Sequence, residues 1–249
     1  MLSVDLNCDL GEGMPNDDMI IPWISSVNIA CGYHAGNADT MKRTVDLALQ
    51  YNTAIGAHPG FNDKENFGRK EKHLSGENYY ILIREQLHLL QNITAERHTS
   101  IHHVKPHGAL YNMSAGNAVL AAIIARAVKD HDQQLVLYGL SNSYSITEAD
   151  KIGLKTASEV FADRTYTDNS FLTPRSDIHA LITNEEQSLK QVLQMVKEQT
   201  VSSVNKKIVQ VKADTICIHG DSSYAAGYAK KIFEALKENG ICVKAIPNK

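Results

Sequence analysis

Val104–Tyr111, which reads VKPHGALY, combines the end of a predicted β-strand with a loop that carries a base and a cation. Because side chains alternate along a strand, His103, Lys105 and His107 share one face while Val104 points to the other. Three ionisable side chains on one strand face fit two interpretations. The strand is either a solvated edge or one wall of a polar pocket, and the rest of the chain has to decide between them.

The composition of the 249-residue chain favours a small-molecule partner. Its formal net charge is -3, its pI is near 6.4, and no cluster of lysine or arginine indicates nucleic acid or an anionic membrane. No apolar run approaches the ~18 residues of a membrane span, and no signal segment is recognisable, so we expect a cytoplasmic protein. The four cysteines form no Cys-x-x-Cys pair, which indicates reduced structural thiols.

Hydrophobic periodicity predicts a regular alternation of strands and helices. Strands are predicted near residues 4–9, 26–31, 53–58, 103–107, 135–140, 156–161, 215–218 and 241–246. Helices are predicted to end near 52, after a cap at Asn37 or Asp39, and to span 75–97, 114–131, 144–150, 185–199 and 223–239. The buried stripe of the second helix is expected to comprise Ile81, Ile83, Leu87, Leu89 and Leu90.

Two segments depart from this alternation. Residues 201–211 are predicted to form a hairpin that turns at Asn205 and Lys206. The stretch 162–177 has no regular period, and irregular segments of this length are usually lids or binding loops, with disorder as the alternative.

The order of elements predicts one α/β domain over residues 1–249. Alternating β and α segments imply a parallel sheet, either open and doubly wound or closed into a (β/α) barrel. Polar residues stand at nearly every strand end, which favours the barrel because its loops all converge on one rim.

Polar side chains on one face of several strands need an explanation, because parallel strands covered on both faces are usually apolar on both. Burying unpaired charge costs several kcal/mol, so these groups must pair with each other, bind a substrate or hold a metal. The set predicts a shared pocket and comprises Asp5, Asn7, Asp9, Asn28, His58, His103, Lys105, His107, Glu159, Thr215, His219 and Asp221.

Asp9 and Glu12 are candidates for a general acid and base, because two nearby carboxylates push each other's pKa values apart, although Asp9 can equally cap a strand-end turn. Four histidines follow predicted strands, and residues at barrel strand ends are typically catalytic. A metal stays an open alternative because histidine and carboxylate suit zinc or manganese, but the chain has no His-x-His pair and no His-Glu-x-x-His helix. The four are His34, His58, His107 and His219.

Arg69, Arg164 and Arg175 lie in the two long loops and suit a carboxylate or phosphate ligand, or are ordinary surface charge. Cys8 is interpreted as a structural thiol because neighbouring Asp9 raises the pKa of a thiol there. No phosphate-binding loop or dinucleotide fingerprint is present. If the reaction uses ATP, another chain is expected to handle it.

The segment DLNCDLGE at 5–12 resembles the opening of the lactam-utilisation family, the 5-oxoprolinase A subunits. Two small departures are Asn37, where the family usually has aspartate, and NFGRK at 66–70 in place of GFGRR. Five further blocks match in order: SVNIACGYHAG at 26–36, IGAHPGF at 55–61, VKPHGALYN at 104–112, EVFADR at 159–164 and ADTICIHGD at 213–221.

The resemblance implies ATP-dependent opening of 5-oxo-L-proline to L-glutamate together with partner subunits B and C. It also implies a seven-stranded (β/α) barrel of the glycoside hydrolase/deacetylase type. ATP is expected to be a cosubstrate handled by the partners, and a divalent metal is left open. Two alternatives are a metal-dependent deacetylase or amidohydrolase on the same barrel and a non-catalytic scaffold subunit.

The residues expected to carry this reaction fall into two groups. The catalytic group is Asp9, Glu12, His58, Lys105, His107, His219 and Asp221, and the substrate-binding group is Asn7, His34, Arg69, Glu159 and Arg164. In the working hypothesis Asp9 or a histidine activates water, Lys105 and His107 stabilise developing negative charge, and a loop arginine holds the substrate carboxylate. Lys105→Met or His107→Ala is expected to abolish glutamate formation while leaving the fold intact.

Overall fold

Seven parallel strands pair side by side and close on themselves in a computed structural model that describes residues 2–220 and 225–248. Because strand β7 pairs with both β6 and β1, the sheet has no free edge and forms a barrel. This confirms the predicted seven-stranded (β/α) barrel. The strands are β1 Ser3–Leu10, β2 Ser26–Ala30, β3 Ala54–His58, β4 His103–Val104, β5 Val136–Leu140, β6 Lys155–Phe161 and β7 Thr215–His219.

Helices follow the strands around the barrel, and their ends are set by local capping. Asn37 accepts hydrogen bonds from the backbone N–H groups of Asp39 and Thr40, and Ser75 does the same for Asn78. The helices are α1 Asp17–Ile20, followed by a 3₁₀ turn Ile21–Trp23, α2 Ala38–Tyr51, α3 Gly76–Ala95, α4 Gly108–Gly116, α5 Ala118–His131, α6 Tyr144–Lys151, α7 Glu185–Glu198 and α8 Ala225–Glu238.

Three predictions about these elements are corrected. The helix predicted over 114–131 is the second of two, because Asn117 adopts an extended conformation, ends α4 and caps α5 through the N–H groups of Val119 and Leu120. Ile81 and Leu89, predicted to be buried, are each 42% exposed, because α3 packs through Ile83, Leu87 and Leu90 instead. Strand β4 has only two residues. The predicted start of α8 at residue 223 lies outside the described residues.

The chain between β6 and β7 forms a long excursion above the barrel. Residues 162–177 have no regular helix or strand, as predicted, although isolated bridges join Arg164 to Leu181 and Tyr166 to Leu172. After α7, Thr200–Ser202 pairs antiparallel with Ile208–Gln210, which confirms the predicted hairpin. A final short strand, β8 Cys242–Val243, pairs with the start of β1.

The interior of the barrel is polar, whereas barrel interiors are commonly filled by Val, Ile and Leu. Along β1, Leu6 and Cys8 belong to the apolar core, while Asp5 and Asn7 alternate with them and are completely buried in side-chain hydrogen bonds. The polar stripes predicted from the sequence therefore line the inside of the barrel, and the interpretation of residues 103–107 as a solvated edge is wrong.

Within the described residues, none of the helices taken singly has the length and apolar composition needed to cross a membrane. Helices α4 and α5 meet that test only as a pair, and they are bent by 119° where they join.

Candidate active site

The floor of the barrel is a hydrogen-bonded network around Asp5. Its carboxylate accepts hydrogen bonds from the hydroxyls of Ser25, Ser26 and Thr215 at 2.6, 2.7 and 2.6 Å. The Asn7 amide donates to Thr215 Oγ1 at 2.7 Å and connects this floor to the layer above. Burial raises the pKa of Asp5 despite the three hydroxyl donors. The network fixes the strand register beneath the site.

Lys105 stands at the centre of the next layer and is only 2% exposed. Its ammonium lies 2.9 Å from Asp9 Oδ1, 3.0 Å from Glu159 Oε1 and 3.0 Å from Cys217 Sγ. Burial by itself lowers the pKa of Lys105, but the surrounding Asp9, Cys217 and Glu159 outweigh burial and raise it well above its usual value. The ammonium therefore stays charged and compensates two buried carboxylates.

Asp9 connects Lys105 to the histidines. Its Oδ1 also accepts from Asn28 Nδ2 at 2.8 Å, and its Oδ2 lies 3.3 Å from His58 Nε2. Burial by itself raises the pKa of Asp9, but His58 and Lys105 reverse that effect and hold the pKa well below its usual value. Asp9 is therefore a carboxylate at neutral pH.

Three imidazoles and Glu12 form a second cluster at the ends of β1, β2, β3 and β4. The rings of His34 and His107 stack with centroids 3.8 Å apart and planes 4° from parallel. His58 Nε2 and His107 Nδ1 are 2.8 Å apart, and Glu12 Oε1 lies 3.3 Å from His34 Nε2 and 3.4 Å from His107 Nδ1. Burial lowers the pKa of His34 to about 2 and that of His107 well below its usual value.

This histidine cluster can hold a metal ion. One donor atom from each of Glu12, His34, His58 and His107 lies within 4.8 Å of the other three. Asp9, Cys217 and His219 form a second group with the same spacing. The Lys105 ammonium already contacts Asp9 and Cys217, so that group has its cation.

Two glycines let the loops approach the histidines. A Cβ at Gly60 would lie 2.7 Å from His34 Nδ1, and a Cβ at Gly68 would lie 2.8 Å from His34 Cβ. Gly68 also has a positive φ of 62°, which disfavours side chains there. The loop between β3 and α3 therefore holds the stacked rings in place through backbone contact.

His219 and Asp163 form a dyad on the opposite side of the pocket. His219 Nδ1 donates to Asp163 Oδ2 at 2.7 Å, and Arg175 Nη2 donates to His219 Nε2 at 3.1 Å. Burial by itself raises the pKa of Asp163, but His219 and Arg164 outweigh it and lower the pKa. The carboxylate fixes the tautomer in which Nε2 is the basic nitrogen.

A cavity of about 640 Å³ opens above these groups. Asn7, His34 and Glu159 do not line it and lie behind or beneath its wall, while Asp221 lies outside the described residues. The individual roles predicted for all these residues stay predictions. The cavity brings together Asp9, Glu12, His58, Arg69, Lys105, His107, Arg164 and His219 from the predicted set.

The excursion between β6 and β7 covers one side of the cavity. Arg164 Nη2 donates to the carbonyl of Thr173 at 2.6 Å and Arg164 Nε donates to that of Ala180 at 3.2 Å, so this guanidinium anchors the loop. Arg69 lies over the Phe67 ring with its guanidinium carbon 4.8 Å from the centroid.

Sequence reasoning missed Asp163 as a site residue and gave Tyr111 no role. Asp163 stands two residues after the end of β6, close to a strand end like the other site residues, and this position is the signal that identifies it. Tyr111 lines the cavity, and burial together with the Glu159 carboxylate raises its pKa well above the usual value.

Known proteins resemble this chain over nearly its whole length. A sequence model of the LamB/YcsF family matches residues 4–249. The 5-oxoprolinase A chain of Staphylococcus aureus (strain bovine RF122 / ET3-1) is 50% identical over 250 aligned residues, covering 98% of this chain and 100% of the relative.

Solved structures support the same relationship. The lactam utilization protein from Thermus thermophilus superposes with a TM-score of 0.92 at 38% identity, covering 98% of this chain and 100% of the other. A family 4 carbohydrate esterase from Streptomyces lividans superposes with a TM-score of 0.51 at 12% identity, covering 99% and 93%. The second similarity shows a shared barrel fold and nothing about activity.

Proposed function

The chain belongs to the LamB/YcsF family, and on that premise we propose that it carries the lactam-opening site of a 5-oxoprolinase, which hydrolyses 5-oxo-L-proline to L-glutamate. The observation that carries the proposal is 50% identity, over 98% of this chain, to the A chain of a 5-oxoprolinase. The pocket supports it, because a buried ammonium, the ionised Asp9 carboxylate and the Asp163–His219 dyad lie around a cavity large enough for a small amino acid derivative.

We propose further that the reaction consumes ATP and that partner subunits B and C deliver the activated lactam. A lactam carbonyl is a poor electrophile, and phosphorylation of its oxygen turns the ring into an imidate phosphate that water can attack. Water then adds to that carbon, the ring C–N bond breaks as nitrogen gains a proton, and the resulting acyl phosphate is hydrolysed by a second water to glutamate and phosphate. The lack of a nucleotide-binding motif in the sequence fits ATP handling by a partner.

In this proposal the Asp163–His219 dyad activates water. With Nδ1–H donated to Asp163, the Nε2 of His219 is the unprotonated base that accepts the proton of the attacking water. Arg175, whose Nη2 lies 3.1 Å from that nitrogen, is placed to hold the substrate carboxylate or the phosphoryl group beside the base.

In this proposal the Lys105 ammonium stabilises the side chains of Asp9 and Glu159 beneath the cavity. Its ammonium compensates Asp9 and Glu159, and it contacts the substrate only if one of these contacts lengthens. Asp9, which lines the cavity, is then available to receive or return the proton that the ring nitrogen requires.

The test is reconstitution of the complete enzyme from the three subunits with 5-oxoproline and ATP. Glutamate should form only when this chain is present, and His219→Asn should lower kcat by about 10²–10⁴-fold because the general base is lost. His88→Gln, on the exposed face of α3, is the matched control and should retain full activity. Glutamate formation without this chain, or full activity of His219→Asn, would refute the proposal.

A further inference from the structure

The facing nitrogens of His58 and His107 are both without a proton when the two rings are neutral. His58 Nδ1 lies 2.7 Å from the carbonyl oxygen of Lys105, and His107 Nε2 lies 2.9 Å from that of Phe67. A carbonyl only accepts hydrogen bonds, so each of these ring nitrogens must carry the hydrogen. The remaining nitrogens, His58 Nε2 and His107 Nδ1, therefore present lone pairs to each other at 2.8 Å.

Two lone pairs at this distance repel unless a cation lies between or beside them. Further donors converge on the same place: Glu12 Oε1 is 3.4 Å from His107 Nδ1 and 3.9 Å from His58 Nε2, and His34 Nε2 is 3.3 Å from the same carboxylate oxygen. A shared proton satisfies only two of these atoms. A metal ion satisfies all four, because they lie within 4.8 Å of one another.

From this geometry we propose that Glu12, His34, His58 and His107 bind one divalent transition-metal ion of the zinc type. Three imidazole nitrogens and one carboxylate oxygen are a donor set that zinc and cobalt prefer over magnesium or calcium. The proposal rests on contacts within the chain and not on the proposed lactam chemistry.

The surroundings of the donors are those of a metal site. Metal-binding histidines usually donate their second ring nitrogen to a carbonyl or carboxylate, which orients the ring, and His58 and His107 both do so. The His34 ring is fixed by stacking on His107 and by the backbone of Gly60 and Gly68. The donors are therefore oriented before an ion binds, which favours affinity.

The proposed metal site also borders the cavity. Glu12, His58 and His107 line the same cavity as Asp9 and Lys105, so an ion held by these residues would border the substrate space. The ion would supply Lewis acidity there.

The experiment uses the untagged full chain, stripped of metal with a chelator and titrated with Co²⁺ while the visible absorption is followed. One equivalent should give an intense band typical of low coordination number, and Zn²⁺ should displace it. His58→Ala and His107→Ala should weaken binding by at least about 100-fold, since loss of a supporting partner alone costs about 10–100-fold. His88→Ala, which removes an exposed histidine of α3, should bind as the unmodified chain does.

Absence of a stoichiometric Co²⁺ band in the unmodified chain would overturn the proposal, as would equal binding by His107→Ala. Glu12→Gln preserves shape and should bind more weakly, and it provides a second test if a histidine variant fails to fold. The cobalt titration contains neither 5-oxoproline nor a partner subunit. A negative result there would therefore refute the metal site without refuting the proposed function, and loss of glutamate formation would not by itself refute the metal site.

Discussion

Replacing Lys105 by Met tests whether the buried ammonium is needed to stabilise Asp9 and Glu159 in the interior of the barrel. Met is similar in length but removes the charge that lies 2.9 Å from Asp9 and 3.0 Å from Glu159. Breaking a buried ion pair from one side costs about 3–5 kcal/mol, because the other charge is left uncompensated. For a chain of this size, that corresponds to a fall in Tm of about 6–20 °C.

The loss of stability caused by Lys105→Met should become smaller as the pH falls. In the unmodified chain the folded pKa of Asp9 is lowered, so its ionised form contributes stability above the ordinary carboxyl pKa of 3.8, and this is lost as the pH falls through the folded value. Without Lys105, one of the groups that lower the Asp9 pKa is gone, so this pKa rises and Asp9 gains a proton in the folded state at a higher pH. The stability gap between the two chains should therefore narrow from about pH 7 to about pH 5.

The measurement is urea unfolding followed by circular dichroism at both pH values. Lys151→Met is the matched control, because the Lys151 ammonium is exposed and pairs with Glu148 on the surface of α6, where an ion pair contributes less than about 1 kcal/mol. If Lys105→Met unfolds at the same urea concentration as the control, or if its deficit is unchanged at the lower pH, the reasoning is refuted. The same measurement tests the expectation from sequence that this substitution leaves the fold intact.

Three further outcomes are expected. Asp163→Asn should lower kcat by about 10²–10⁴-fold with little change in KM, measured in the reconstituted enzyme, because His219 loses the partner that fixes its tautomer. Gly56→Ala should cost about 1–3 kcal/mol in urea unfolding, because the added Cβ would lie 2.1 Å from the buried ring of His103. Asn117→Ala should cost about 1 kcal/mol by the same assay, because α5 loses its cap.

Each of these has a control and a contradicting result. Gly227→Ala adds a Cβ that meets nothing within 4 Å in exposed α8, so it should stabilise by up to about 1 kcal/mol, and an equal loss at Gly56 and Gly227 would refute the packing argument. For Asn117, restoration of stability by Asn117→Ser supports capping. For Asp163, a change in KM alone would indicate a role in binding.

Local pattern was sufficient to predict the barrel and the floor of the site. The alternation of Asp5, Asn7 and Asp9 with Leu6 and Cys8 indicated which face turns inward, and the structure places the first three in the interior network. Side chains alternate between the two faces of a strand, and only one face of a closed sheet turns inward. The alternation that sets the strand register therefore also decides which side chains line the interior of the barrel.

Two other features were missed for different reasons. The break between α4 and α5 does have a local signal, because Gly116 ends one helix and Asn117 caps the next, and this signal was overlooked. Helix α3 is apolar on several faces, so the helices and strands that pack against it determine which face is buried. Ile81 and Leu89 lie on a face that stays exposed to solvent.

The Asp163–His219 dyad was hidden for a topological reason. The two residues are 56 positions apart and meet because β6 and β7 are neighbours in the barrel although α7 and a hairpin separate them in the chain. Sequence reasoning identified His219 from its strand end but had no means of knowing which loop lies beside it.

The anchoring of the covering loop by Arg164 has a consequence for how new specificities arise in such a barrel. Because β6 and β7 stay paired beneath it, we expect that the segment between them can change in length without altering the polar interior of the barrel. Arg164 holds the carbonyls of Thr173 and Ala180, and the turn between Thr167 and Phe171 is closed by its own backbone hydrogen bonds, so we expect this turn to accept changes as a separate unit. We therefore expect that the range of substrates can change through substitutions or insertions in that turn, while the charged residues inside the barrel stay the same.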